Sequence, residues 1–252
     1  MEVRRFFSEI ITRAGSIIRL DAVQSRHILK VLRIKSGEEV ELFDGKGNAA
    51  RASVMNVPGN IVNVRVMDIE TGKFKGVLEI DIALGVLKEK AMNVAIQKLS
   101  ELGVKRFIPV MCEFSVPVLN NPEAAQKKRA RWRRISLESA KQCGRSSSME
   151  ILPPVKFKEF LEMDSGKKFF GSMDVPESFK RDIFKDNNEK VICAVGPEGG
   201  FSEKEKEELK INHFTPVSLG LYRLRAETAA ITAAAILSNL LRKPQKTQTK
   251  RE

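Results

Sequence analysis

Apolar and polar residues alternate in short bursts through the first seventy positions of the chain. The runs SIIRL, EEVELFD, ARASVMNV and IVNVRVMDI are rich in β-branched residues, which pack well on a pleated surface. Between them, DGKG at Asp44–Gly47 and PGN at Pro58–Asn60 supply the residue types that tight hairpin connections need. One helix-like stretch, Gln24 to Ile34, interrupts the series. Short strands at this spacing predict a small β-barrel over residues 1–72, with the segment TGKFKG at Thr71–Gly76 reading as a linker.

The hydrophobic period then lengthens from two residues to about 3.6. VLEIDIALG reads as a buried strand, Leu87–Leu102 as a helix stopped by Gly103, and RFIPVM as the next strand. A β–α–β unit of this kind favours a parallel sheet. Asn121 and Pro122 open a long helix to about Cys143, a cap followed by proline at the first helical position. A strand near Phe169, a strand at VICAV and a helix from Ser202 follow; Ser202 and Glu205 fit a capping box. TPVSLG is the last strand and AETAAITAAAILSNLL the last helix, closed by Pro244. The pattern therefore predicts an α/β domain over residues 73–243, with ligands at the carboxyl ends of its strands. The polar tail 244–252 is expected to be disordered.

Charge sharpens this picture. The 252 residues carry 44 Lys and Arg against 32 Asp and Glu, a net charge of +12, which favours an anionic partner. Nucleic acid is the first candidate and an anionic membrane surface the second; a lysine-rich surface of a heat-adapted protein is the plain alternative. Lys127, Lys128, Arg129, Arg131, Arg133 and Arg134 crowd into one short stretch of the long helix. Cys112, Cys143 and Cys193 stand apart, and His27 and His213 are the only histidines, so neither a zinc site nor a disulfide framework is expected. The start MEVRRFF has no apolar leader core. The longest apolar run, Ala229–Leu241, is interrupted by Thr232, Ser238 and Asn239 and is too short for a bilayer. A cytoplasmic protein without metal or membrane span is the expectation.

Three loops are candidates for chemistry: Gly196-Pro197-Glu198-Gly199-Gly200, the segment LGLYRLRAET at Leu219–Thr228, and the corner ELGV at Glu101–Val104. The glycine turn follows a buried strand, the usual setting of a phosphate cradle. It lacks the lysine of G-x-x-x-x-G-K-[ST] and the spacing of G-x-G-x-x-G, and Glu198 would repel a pyrophosphate. A neutral or cationic ligand such as S-adenosylmethionine meets no such repulsion; a plain tight turn is the alternative. Gly199 and Gly200 are read as positions where a side chain would crowd the ligand or force an unfavourable φ. In the second loop, Arg225 stands at the start of a helix, where partial positive charge already disfavours it, which marks a site or a local ion pair with Glu227.

GPEGGFS together with LGLYRLRAETAA closely resembles the RsmE family of ribosomal-RNA uridine N3-methyltransferases, within the SPOUT class. The resemblance extends over nearly the whole chain. RHILKVLRIKSGEEVELFDGKG is similar to that family's PUA-like barrel, QKLSELGVKRFIPV to its first β–α–β unit, and RWRRISLESAKQCGR to its basic helix. The resemblance implies a C-terminal SPOUT α/β domain with a deep trefoil knot, an N-terminal PUA-like RNA-binding β-barrel, and a homodimer in which two subunits complete each site. It implies S-adenosyl-L-methionine as cofactor, held by Gly196, Pro197, Glu198, Gly199, Gly200, Leu219, Gly220, Leu224, Arg225 and Thr228. The reaction implied is methylation of N3 of a uridine in small-subunit (16S) ribosomal RNA. N3 carries a proton at neutral pH, so Arg225 is expected to balance charge on the uracil oxygens, and Glu227 to accept the proton or orient the arginine. Arg4, Arg5, His27, Arg33, Arg131 and Arg145 are the expected phosphate contacts. The competing reading is a non-enzymatic RNA-binding or ribosome-assembly factor; a nucleotide-dependent oxidoreductase lacks its phosphate fingerprint.

Overall fold

The computed structural model describes residues 4–55, 58–71, 79–117, 119, 121–163, 166–180, 184 and 190–241. Most of the segment read as a linker and the whole tail 244–252 lie outside them. The chain divides into two compact units, one made of Met1–Gly76 and Ser136–Ser148, the other of Val77–Ile135 and Met149–Glu252.

In the first unit, strands β1 (Arg5–Phe7), β2 (Ile17–Arg19), β3 (Glu39–Phe43), β4 (Asn48–Val54) and β5 (Asn63–Thr71) form one sheet in the order β1-β3-β4-β5-β2. β1 runs parallel to β3 and the remaining pairs are antiparallel. Among the described residues β1 and β2 do not pair with each other, so the expected barrel is a five-stranded sheet whose ladder stays open. The β3–β4 hairpin forms at the predicted turn because the Asp44 carboxylate accepts from the backbone N–H of Lys46 (2.7 Å) and of Asn48 (3.1 Å). Val40, Leu42, Ala52, Val64 and Val66 alternate inward and meet Phe6 and Ile28 in the core.

The helix expected over Gln24–Ile34 starts earlier and is split. α1 (Ala22–Arg26) begins where Asp21 accepts from the Gln24 N–H, and a π-helical stretch, His27–Leu32, continues it. Arg33 ends the run in the left-handed conformation, φ 53°.

The second unit carries an all-parallel sheet of β6 (Ile80–Gly85), β7 (Arg106–Met111), β8 (Glu150–Ile151), β9 (Val155–Lys156), β10 (Lys167–Gly171), β11 (Val191–Val195) and β12 (Thr215–Val217). Its order is β12-β10-β11-β6-β7-β8, with β9 also paired to β7. Helices α2 (Glu89–Glu101), α3 (Pro122–Cys143), α4 (Phe157–Leu161), α5 (Glu203–Ile211) and α6 (Ala226–Leu241) complete the set. Alternate strand residues face two cores. Ile80, Ile82, Leu84 and Cys193 point to one with Met92 and Ile96 of α2 and Ala230 and Leu237 of α6. Ala83, Ile108, Ile192 and Ala194 point to the other, with Phe157 and Phe160 of α4 and Leu209 of α5. Burial on both faces is why these strands read as unbroken apolar runs. The exception is Asp81, 1 % exposed, which lies in register with Arg106 on β7 and receives its guanidinium through Nε at 3.0 Å and through Nη2. That pairing holds the Arg106 pKa above its usual value.

α3 starts as read: Asn121 Oδ1 accepts from the N–H of Glu123 and Ala124, and Pro122 occupies the first turn. β1, β8, β9 and α4 have no counterpart in the sequence pattern.

Burial separates the three cysteines. It pushes the Cys193 thiol up to about 12, and raises Cys112 as well, with help from the Glu205 carboxylate, whereas Cys143 is exposed. Because the thiolate is the nucleophile, the native protein at neutral pH is expected to take one equivalent of iodoacetamide, at Cys143, and three after denaturation. Peptide mapping of the labelled protein checks this.

Candidate functional site

A cavity of about 440 Å³ opens at the carboxyl ends of β10, β11 and β12, where ligands bind in open parallel sheets. Its walls are the loop after β10, the turn Gly196–Phe201 after β11, the loop 219–224 after β12, and the starts of α5 and α6. Val195, Phe201, Leu219 and Leu224 give it an apolar side.

The turn is shaped by close approach. The Gly200 N–H donates to Pro197 O at 2.8 Å and closes it. A Cβ on Gly196 would lie 2.7 Å from Gly200 C and 2.8 Å from Phe201 N, and a Cβ on Gly85 at the end of β6 would lie 2.5 Å from Pro197 N. Bulk at Gly199 would meet Phe114 Cβ at 2.8 Å. Gly200 has open space around it, and glycine is favoured there by its φ of +77°.

The carboxylate in the turn has a partner. Glu198 Oε1 accepts from the Lys88 N–H at 3.3 Å, at the N-cap of α2, where no local side chain caps the helix. Its charge sits against the partial positive end of that helix. The residue that makes this turn unlike a phosphate cradle thus ties the turn to α2 while also bordering the cavity.

A second glutamate braces the neighbourhood from beneath. Glu205, 6 % exposed, accepts from the Glu113 N–H at 2.9 Å through Oε1 and from the Ser202 N–H at 3.0 Å through Oε2. The capping box read from Ser202 and Glu205 is present, and Glu205 also fixes the loop that places Phe114 over Gly199. Removing this buried acceptor leaves two N–H groups unpaired. Glu205→Ala is therefore expected to lose about 2–3 kcal/mol of stability, whereas Glu203→Ala at the exposed neighbouring position changes little. Thermal melting of both variants checks the contrast.

Of the residues expected to hold the cofactor, Gly196, Pro197, Glu198, Gly199, Gly200, Leu219, Gly220 and Leu224 line the cavity. Arg225 and Thr228 do not; both are exposed next to it, with Glu227 partly buried in the first turn of α6. Arg225 and Glu227 form no ion pair with each other among the described residues. Tyr222 and Arg223, inside the candidate loop Leu219–Thr228, also line the cavity, as do Ser172, Asp174 and Lys206, which were not read from the sequence as site residues. The available signal was the strand FFG, which breaks at Gly171 much as VICAV breaks at Gly196.

The corner ELGV belongs elsewhere. It connects α2 to the amino end of β7, the edge of the sheet away from the cavity, with Val104 fully buried and Leu102 O accepting from Ser238 Oγ at 2.9 Å. It is a packing corner.

The expected RNA contacts also divide. Arg5 is corrected: its side chain is 10 % exposed, its Nε bonds Glu41 at 2.7 Å, its Nη1 reaches Ala140 O and Arg145 O, and the guanidinium lies 4.9 Å from the Phe43 ring centre. It ties β1 to β3 and to the end of α3, and its Nη2 is buried without a hydrogen-bond partner among the described residues. His27 is half-buried against Phe6. Arg145 is largely buried, which lowers its pKa from the usual arginine value. Arg4 and Arg33 are exposed, Arg4 donating to Leu32 O, and Arg131 is exposed and paired with Glu89 at 2.5 Å.

Among the described residues, no group of three or more His, Cys, Asp or Glu could hold a metal ion, and no helix is long and apolar enough to cross a membrane.

Comparison with known proteins adds to this geometry. Residues 75–238 match the family model of the RNA methyltransferase domain, and residues 20–67 that of the RNA methyltransferase PUA domain. The chain is 26 % identical over 242 residues to the ribosomal RNA small subunit methyltransferase E of Buchnera aphidicola subsp. Schizaphis graminum, spanning 93 % of this chain and 95 % of the relative. It is 31 % identical over 204 residues to the protein of the same name from Mesomycoplasma hyopneumoniae, spanning 81 % and 86 %. Among solved structures, a Legionella pneumophila methyltransferase in complex with SAM superposes with a TM-score of 0.86 at 30 % identity, over 95 % of this chain and 98 % of that one. The ribosomal RNA small subunit methyltransferase E of Neisseria gonorrhoeae, bound to S-adenosyl methionine, gives 0.84 at 29 % identity over the same shares.

Proposed function

The chain belongs to the RNA methyltransferase family, and we propose that it methylates N3 of a uridine in small-subunit ribosomal RNA with S-adenosyl-L-methionine as donor. The observation that carries this reading is the cavity at β10–β12, walled by a glycine turn whose carboxylate is turned to a helix end. The cofactor fits these residues. The volume lies in the range of about 300–1,000 Å³ typical of small-molecule sites. The apolar side suits a nucleobase, and the backbone of Gly196–Gly200 and of Leu219–Gly220 offers amides and carbonyls at close range. When bound, the cofactor supplies a methyl group already activated by its sulfonium, so no metal is needed for the transfer.

The chain's own part is to hold, orient and balance charge. Arg225, exposed just before α6 and beside the cavity, would offset negative charge on the uracil as N3 gives up its proton. Glu227, in the first turn of the same helix, would accept that proton or orient Arg225. Arg4, Arg33 and Arg131, with the exposed Arg133 and Arg134 of α3, supply positive charge for the RNA backbone. The sheet order, in which β10 lies between β11 and β12, accords with a trefoil knot in this half of the chain. Leu221 and Tyr222 beside the cavity, 93 % and 81 % exposed, accord with a second subunit completing the site.

Mass spectrometry of ribosomal RNA from a strain lacking the protein tests the reading: one N3-methyluridine is expected to vanish from the small-subunit RNA and to return when purified protein and S-adenosyl-L-methionine are added. Unchanged RNA together with tight RNA binding would favour the assembly-factor reading instead.

A further inference from the structure

The cavity has one charged end. Asp174, in the loop after β10, and Lys206, in the first turns of α5, meet there at 2.9 Å, and both line the cavity. Of the other charged residues on the lining, Glu198 is engaged by the Lys88 N–H, and Arg223 is exposed on the far loop. The pair is held from both sides. Ser172 Oγ donates to Asp174 Oδ2 at 3.1 Å and accepts from the Asp174 N–H, while Lys206 Nζ also donates to Glu203 Oε1 at 2.9 Å. Among the described residues, the contacts to Asp174 all fall on Oδ2 and its backbone N–H, which leaves Oδ1 its lone pairs, and Lys206 uses two of its three N–H bonds.

Resting on the cofactor reading above, we infer that Asp174 and Lys206 are the subsite for the amino-acid end of the cofactor, Asp174 Oδ1 accepting from the α-ammonium and Lys206 Nζ donating to the α-carboxylate. One free acceptor beside one free donor is the complement of a zwitterion. The apolar side formed by Val195, Leu219 and Leu224 leaves the opposite end of the ligand, the base, to the loops of β11 and β12. Both groups are ionised at neutral pH: the bond from Lys206 and then that from Ser172 hold the Asp174 pKa below its usual value, and Glu203 and then Asp174 raise that of Lys206. A nucleoside-only cavity has no use for such a pair, whereas an amino-acid tail gives each partner its remaining bond.

Calorimetry of the full-length protein with two ligands tests this. S-adenosylhomocysteine carries the amino-acid tail, and 5′-methylthioadenosine has the same base, ribose and sulfur without it. Wild type is expected to prefer S-adenosylhomocysteine. Asp174→Asn and Lys206→Met should each weaken it about tenfold and leave 5′-methylthioadenosine within twofold of wild type, which also shows that the variants are folded. Equal loss for both ligands would overturn the inference in favour of a carboxylate bound to the ribose or a loop brace. Unchanged binding of both would overturn it outright. A wild type that binds neither ligand would overturn it together with the cofactor reading on which it rests.

Discussion

Arg225→Ala is expected to slow single-turnover methylation about a hundredfold or more, roughly 3 kcal/mol of lost transition-state stabilisation. The melting temperature and cofactor affinity should stay near wild type. The structure separates these outcomes. The guanidinium is exposed and lies off the cavity lining, and the residue's structural contribution is its backbone carbonyl, which accepts from Ala229 N at 2.8 Å. Alanine keeps that carbonyl. Lysine should restore the rate only in part, since it keeps the charge and loses the planar fork that can bond two oxygens. The measurement is single-turnover transfer at saturating cofactor and RNA beside a melting curve. A near-normal rate in a folded variant would leave Arg225 as an exposed helix-end residue without a part in the chemistry.

Gly196→Ala should abolish measurable cofactor binding, although it adds a single methyl group. That methyl would meet backbone atoms, Gly200 C at 2.7 Å and Phe201 N at 2.8 Å, and backbone cannot swing aside as the end of a side chain can. Overpacking of this kind costs about 1–3 kcal/mol, and the turn can relieve it only by opening, which breaks the bond from Gly200 N to Pro197 O and withdraws the cradle. Gly220→Ala is the matched control: its Cβ would find only Leu224, at 3.7 Å, so the free protein should melt as wild type does. Calorimetric affinity near wild type for Gly196→Ala would show that the turn does not hold the ligand.

Some of this site was legible in the chain because local rules carry it. The bounds of α6 and α3 follow from an apolar, small-residue run and from an Asn-Pro start, and the turn after β11 announces itself by glycine density behind a buried strand. β8 and β9, two residues each, are too short to show a period. Asp174 and Lys206 escaped notice for a different reason. One stands on an irregular loop and the other in EKEKEELK, a run that reads as a solvated helix face; only the fold brings them to one cavity. The partner of Glu198 lies 110 positions away, and no local pattern encodes a pairing at that distance. Arg5 misled because a basic residue near a chain end looks like surface, while its ligands, Glu41 and the carbonyls of Ala140 and Arg145, come from remote segments.

The membership of Ser136–Ser148 in the first unit has a consequence for synthesis. Ser148 N bonds Gly45 O, Gly47 N bonds Ser146 O, and Lys141 lies over the Phe6 ring, so the unit draws on residues made well after its own sheet, which ends at Thr71. A chain emerging from the ribosome can pair β3 with β4 early. It cannot satisfy Arg5 until the end of α3 has cleared the exit tunnel, by which time β6 and β7 are already available. The amino-terminal unit therefore waits on the body of the protein, and such non-local closure is intrinsically slow. Nascent chains stalled before residue 136 has left the tunnel should be degraded by protease in the first seventy residues, and chains stalled far enough past 148 for that residue to have emerged should resist.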